Sequence, residues 1–125
     1  MQALAPAPRV LVVDDDPMIR EVMMTVLTHS GYAVETAENG QQALEAVVSD
    51  PTAVVLMDLQ MPVMDGLTFL RVARRQGIRV PIVLFSGNSD GAGLAEAVGA
   101  DGFVAKPFRP SVLLAMVERF CGQAA

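Results

Sequence analysis

This sequence predicts an α/β fold, a parallel sheet with helices on both faces, and three observations carry the prediction. Short apolar runs at residues 9–13, 32–37, 53–57, 80–85 and 103–105 alternate with stretches whose apolar residues recur at helical spacing, a (βα)5 pattern. The runs at 9–13, 53–57 and 80–85 are nearly continuous in aliphatic residues, as strands buried on both faces are. Polar residues stand where four of the five runs end, and in an open parallel sheet that edge is where ligands bind. Strand–helix–strand units of this kind join through right-handed crossovers into one doubly wound layer.

Each element has its own local reasons. The first run ends in Asp14-Asp15-Asp16. Asp16 is a natural N-cap, and Pro17 suits the first helical position, where its missing N–H costs nothing. Ile19, Val22, Met23, Val26 and Leu27 give that helix one apolar face, His29 lies in its last turn, and Gly31 stops it. The second strand is more polar, suited to a sheet edge. Asn39-Gly40-Gln41-Gln42 has the form of a capping box. The helix it starts runs to Ser49, buries Ala43, Leu44, Val47 and Val48, and ends at Asp50-Pro51.

The third strand leads into Asp58. Asp65-Gly66 opens a helix with Leu67, Phe69, Leu70 and Ala73 inward. Arg71, Arg74 and Arg75 point outward near its C-terminal end, as the helix dipole favours, and Gly77 terminates it. The fourth strand ends in Ser86-Gly87. Residues 88–93 include Gly91 and Gly93 and form helix poorly, so the fourth helix, marked by Leu94, Ala97 and Val98, is expected to be short or mobile. After a last short strand and Lys106-Pro107-Phe108, Leu113, Met116, Val117 and Phe120 mark a helix over 110–120 that Gly122 ends. We expect one domain over residues 9–121, with 1–8 a disordered lead-in and 122–125 a C-terminal tail.

Composition narrows the function. The 125 residues suffice for one hydrophobic core, and an apolar content of 52% with a mean hydropathy of +0.41 fits a fully buried central layer. A net charge of −5 and a pI near 4.6 argue against a nucleic-acid surface. The single cysteine, Cys121, excludes an internal disulfide and fits a reducing compartment. No apolar run approaches the roughly 20 residues of a membrane span, and the N-terminus lacks the pattern of a signal peptide. A cytoplasmic location is expected.

The chemistry converges at the C-terminal ends of the first, third, fourth and fifth strands. There lie Asp14-Asp15-Asp16, Asp58, Ser86 and Lys106, scattered in sequence but gathered by the topology. Closely packed carboxylates repel, and a hard cation with oxygen ligands relieves this. Mg²⁺ fits, because it binds one or two carboxylates while keeping waters and a phosphate oxygen. Asp16 and Asp65 are read first as caps. Lys106 is the chain's only lysine among nine basic residues. A compact ammonium on a flexible stem suits a point contact with a phosphate or carboxylate.

These residues resemble the receiver domain of two-component response regulators. The matching pieces are Val12-Val13-Asp14-Asp15-Asp16, Met57-Asp58-Leu59-Gln60-Met61-Pro62-Val63-Met64-Asp65-Gly66, Phe85-Ser86-Gly87 and Gly99-Ala100-Asp101-Gly102-Phe103-Val104-Ala105-Lys106-Pro107-Phe108. The resemblance covers nearly the whole chain, and it implies the flavodoxin-like fold with strand order 2-1-3-4-5. It implies that Asp58 accepts a phosphoryl group from a histidine kinase or phosphotransfer protein. It further implies that Asp14 and Asp15 hold Mg²⁺, or Mn²⁺ in its place, together with Asp58 and the Gln60 carbonyl, with Asp15 and Asp58 direct ligands and Asp14 more often through water. Ser86 and Lys106 would contact the phosphoryl group, Ser86 and Phe103 would form the switch, and Lys106-Pro107 would be a cis peptide. Gln60 and Asn88, each two residues past a site residue, would tune the lifetime of the phosphorylated form.

The expected consequence is a changed surface around the fourth helix, fifth strand and fifth helix, read by a downstream protein or by a linked domain of a longer chain, in a monomer or weak homodimer. Direct nucleic-acid or membrane binding is not expected. Enzymatic work would be limited to self-phosphorylation and autodephosphorylation. An aspartyl-nucleophile phosphatase of the haloacid dehalogenase kind would carry Asp-x-Asp after the first strand and a cap domain, whereas the isolated acid here follows the third. A flavodoxin would carry a Ser/Thr-rich loop where this chain is acidic. A degenerate receiver serving only as a scaffold would have no need of the full acid, hydroxyl and lysine set. Met61 and Met64 flank the site and are read as packing residues, His29 as a surface residue compensating the helix dipole, and Cys121 as passive.

Overall fold

A computed structural model describes residues 7–61, 63–87 and 90–121. Its elements follow the predicted alternation: β1 Arg9–Val13, α1 Pro17–His29, β2 Ala33–Ala37, α2 Gly40–Ser49, β3 Val54–Asp58, α3 Gly66–Arg75, β4 Ile82–Ser86, α4 Gly91–Ala97, β5 Gly102–Ala105 and α5 Pro110–Cys121. The five strands form one parallel sheet in the order β2-β1-β3-β4-β5. Among the described residues no helix is long and apolar enough to cross a membrane.

Strand side chains alternate between faces, and the two cores follow from that alternation. Val10, Val12, Val54, Leu56, Val83 and Phe85 pack with Met23 and Leu27 of α1 and Leu113 and Val117 of α5. Leu11, Val13, Val55, Met57, Ile82 and Leu84 pack with Ala43 of α2, Phe69, Leu70 and Ala73 of α3, and Ala95 of α4. β1, β3 and β4 are covered on both sides, which is why they read as continuous apolar runs. Each fully buried aliphatic side chain contributes roughly 1.5–3 kcal/mol.

The helix starts obey the local signals. Asp16, Asn39 and Asp65 cap α1, α2 and α3, accepting from the N–H groups of Met18, Gln42 and Thr68. Gln42 bonds back to the N–H of Glu38, one residue before the cap. Gly31 and Gly77 follow α1 and α3 with φ of 97° and 78°, the left-handed region that a side chain disfavours. The fourth helix is short, at seven residues, and Asp90 at its start makes no side-chain capping bond.

The expectations at Val22, Val48 and Arg74 are corrected. Val22 of α1 is 54% exposed and Val48 of α2 is likewise outward. Each lies one residue, about 100° of helix, from the inward Met23 or Val47, and the buried stripe is narrower than the apolar pattern. Arg74 is not a free outward charge: its guanidinium donates to the carbonyls of Ile78 (2.8 Å) and Val80 (3.0 Å) and to Asp101 Oδ2 (3.0 Å). The chain leaving α3 doubles back beneath the helix and presents those carbonyls to it. Of the expected lead-in, residues 1–6 lie outside the described residues, while the Pro8 carbonyl accepts from the Ala33 N–H. Asn88 and the expected tail at 122–125 also lie outside them.

Candidate functional site

The ends of β1 and β3 are neighbours in register, Val13 opposite Met57, so Asp14 and Asp58 emerge side by side. Asp14 is 1% exposed, Asp58 is buried, and Asp15 is exposed. Lys106, just past β5, reaches back across the β4 end to both: its Nζ lies 3.1 Å from Asp14 Oδ2 and 3.2 Å from Asp58 Oδ2. Lys106 N–H donates to the Ser86 carbonyl, which ties the lysine's backbone to the end of β4. The peptide bond between Lys106 and Pro107 is cis.

Both acids have their second oxygen engaged. Asp14 Oδ1 accepts from the Asp16 N–H at 2.8 Å, and Asp58 Oδ1 accepts from the Gln60 N–H at 3.2 Å. Burial raises the Asp14 carboxyl above its ordinary range; the Asp16 N–H works against that, and the charge of Asp58 adds to it. Burial alone would lower the Lys106 ammonium, but the charges of Asp58 and Asp14 outweigh it and hold the group above its ordinary value. Lys106 is therefore a cation at neutral pH.

One carboxylate oxygen each from Asp14, Asp15 and Asp58 lies within 4.8 Å of the others. Three hard, anionic oxygens at that spacing suit a divalent cation that prefers oxygen ligands. Ser86 is buried at the end of β4, and Phe103 of β5 packs partly buried against the core on the α3 and α4 side. Gln60 is exposed on the loop after β3, and Met61 and Met64 pack against the core as expected.

Sequence reasoning did not single out Arg20, Phe85 or the tight seat of Gly66. Arg20 Nη1 donates to the Asp14 carbonyl at 2.6 Å, and Nη2 lies 3.8 Å from Glu38 Oε1. A cation in the first turns of a helix opposes the dipole, and that misfit was the legible signal that Arg20 has a specific partner. The Phe85 ring lies under Lys106, with Nζ 5.0 Å from its centroid, and meets Phe108 edge-on at 6.1 Å. A Cβ on Gly66 would stand 2.8 Å from the Asp58 carbonyl and 2.9 Å from Leu84 Cδ2. The start of α3 thus presses directly on the backbone of the acidic residue, with the Gly66 N–H donating to Leu59.

Comparison with known proteins agrees with this geometry. The family model described as response regulator receiver domain matches residues 10–118. The chain is 37% identical over 124 residues to the alkaline phosphatase synthesis transcriptional regulatory protein SphR of Synechococcus elongatus, covering 90% of this chain and 48% of that protein. It is 40% identical over 112 residues to the DNA-binding response regulator MtrA of Mycolicibacterium smegmatis, covering 88% and 49%. The chain thus spans about half the length of these relatives. The chemotaxis response regulator CheY4 of Vibrio cholerae superposes with a TM-score of 0.84 at 35% identity, covering 91% of this chain and 98% of that one.

Proposed function

Because this chain belongs to the response regulator receiver domain family, whose members are phosphorylation-controlled signalling switches, we propose that its switch is thrown by a phosphoryl group on Asp58. The observation that carries this is Lys106 Nζ bridging Asp58 and Asp14 at the sheet's ligand-binding edge. An Asp58 carboxylate oxygen attacks phosphorus in line. The P–N bond of a donor phosphohistidine breaks, its electron pair leaves with the imidazole, and an acyl phosphate remains on Asp58. Positioning and charge neutralisation do most of such a transfer.

The chain's own groups supply much of that. Lys106 Nζ, a cation throughout, follows the added charge from the carboxylates to a phosphoryl oxygen. Ser86 Oγ donates to another. Asp14, Asp15, Asp58 and the Gln60 carbonyl would hold Mg²⁺, with Mn²⁺ acceptable, and the ion when bound neutralises charge on the transferring oxygens. Gln60 and Asn88 set access of water to the acyl phosphate and so its lifetime. Ser86 and Phe103 then convert the local event into a new packing around α4, β5 and α5.

The donor is a histidine kinase or phosphotransfer protein that approaches across a cleft of about 540 Å³ beside Lys106, lined by Met18, Ile19, Val22, Met23, Gly87, Pro107 and Phe108. Met18 and Val22 are large apolar side chains that stand exposed there. The reader of the switched surface is a protein target or a linked domain, and the working compartment is the cytoplasm. Catalysis beyond self-phosphorylation and autodephosphorylation has no part in this reading.

The test is incubation with Mg²⁺ and acetyl phosphate followed by intact mass. The wild type gains one phosphoryl group and Asp58→Asn gains none. A wild type that stays unlabelled while control receivers label would sink the reading.

A further inference from the structure

The start of α4 closes tightly on Ser86 and Phe103. A Cβ on Gly91 would stand 2.9 Å from both Cε1 and Cζ of Phe103 and 3.1 Å from Ser86 Cβ. The ring tip, the serine and the helix start therefore meet at a single point, and only the missing methyl leaves room for all three. The backbone at Gly91 is helical, so glycine is not needed there for its φ. In a helix interior glycine costs about 1 kcal/mol relative to alanine. Gly93, two residues on in the same helix, carries that cost with nothing within 4 Å of where its Cβ would be.

We propose that Gly91 is a positioning residue of the switch: its bare backbone lets the Phe103 ring lie inward beside Ser86, and so sets how far the ring travels when Asp58 is phosphorylated. This rests on the reading of Ser86 and Phe103 as the switch pair. The crowding atoms are the far end of a side chain, so a methyl at Gly91 displaces the ring outward more readily than it displaces the sheet. The ring is then kept out of the inward seat that it would take when Ser86 turns to the phosphoryl group, while the Asp58–Lys106–Asp14 cluster keeps its geometry.

The paired variants Gly91→Ala and Gly93→Ala separate the two effects of glycine, because both gain helix propensity and only one meets the ring. The full chain is labelled with fluorophenylalanine, the Phe103 signal is assigned with Phe103→Leu, and ¹⁹F spectra are taken with and without Mg²⁺ and acetyl phosphate, alongside intact mass. Gly93→Ala should match the wild type in both states. Gly91→Ala should take up phosphate equally, show a displaced Phe103 signal already at rest, and lose about half or more of the change on phosphorylation. Coincident spectra of the two variants, with phosphate taken up, overturn the proposal for Gly91 alone. Absence of uptake in the wild type overturns the Asp58 reading and the role of Gly91 with it. Should Gly91→Ala fail to fold, the Phe103→Leu background removes the crowding ring atoms, and its failure to restore folding also overturns the proposal.

Discussion

At the end of β3 the chain is held from several sides. Gly66 is wedged against the Asp58 carbonyl, its N–H bonds to Leu59, and the Gly40 N–H at the start of α2 bonds to Met64. These ties keep Val63, 83% exposed, at a φ of 71° that a β-branched residue resists. At the end of β4 the next helix has seven residues, two of them glycine, and its start lacks the side-chain capping bond that α1, α2 and α3 all have. The first region fixes a constellation of charges, and the second is left easy to repack. A switch needs both: charge must arrive at a rigid address, and the response must come from an element of low local stability.

Two substitutions sharpen the contrast. The larger effect belongs to Gly66→Ala, whose methyl meets backbone that has nowhere to go. We expect a loss of about 3 kcal/mol in urea unfolding, with impaired phosphoryl uptake. A neutral outcome would mean that the β3 end is as pliant as α4.

A smaller effect, of opposite sign, is expected at Asp14. Its folded-state carboxyl is raised by burial, so the folded protein holds that proton more tightly than the unfolded chain. The resulting stability is present below the ordinary 3.8 and is lost as pH rises through the raised value. At neutral pH the buried charge is therefore a net cost. Asp14→Asn should be more stable than the wild type without metal in urea unfolding, with the advantage shrinking as the pH falls toward that ordinary value. Equal stability at all pH values would show that Lys106 fully compensates the charge.

What could be read from the chain beforehand divides along the same line. The strands, the caps at Asp16, Asn39 and Asp65, and the turn at Gly77 were legible because each depends on neighbours a few residues away. The meeting of Asp14, Asp58 and Lys106 was legible because parallel topology brings strand ends to one edge whatever the intervening sequence. Val22 and Val48 misled because helical spacing marks an apolar face but not how much of it the sheet covers. Arg74 misled because two of its partners are carbonyls, which carry no sequence signal, and the third, Asp101, lies far along the chain. The close seats of Gly66 and Gly91 were hidden for a related reason: a glycine's use as empty space depends on what approaches it in three dimensions.

Hydrogen exchange followed by mass spectrometry, with and without Mg²⁺ and acetyl phosphate, tests the division most directly. The account predicts strong protection through β1, β3 and the start of α3 in both states, with the change on phosphorylation confined to α4, β5 and the adjoining turn of α5. Equal protection of α3 and α4 at rest, or a change centred on α3, would contradict it.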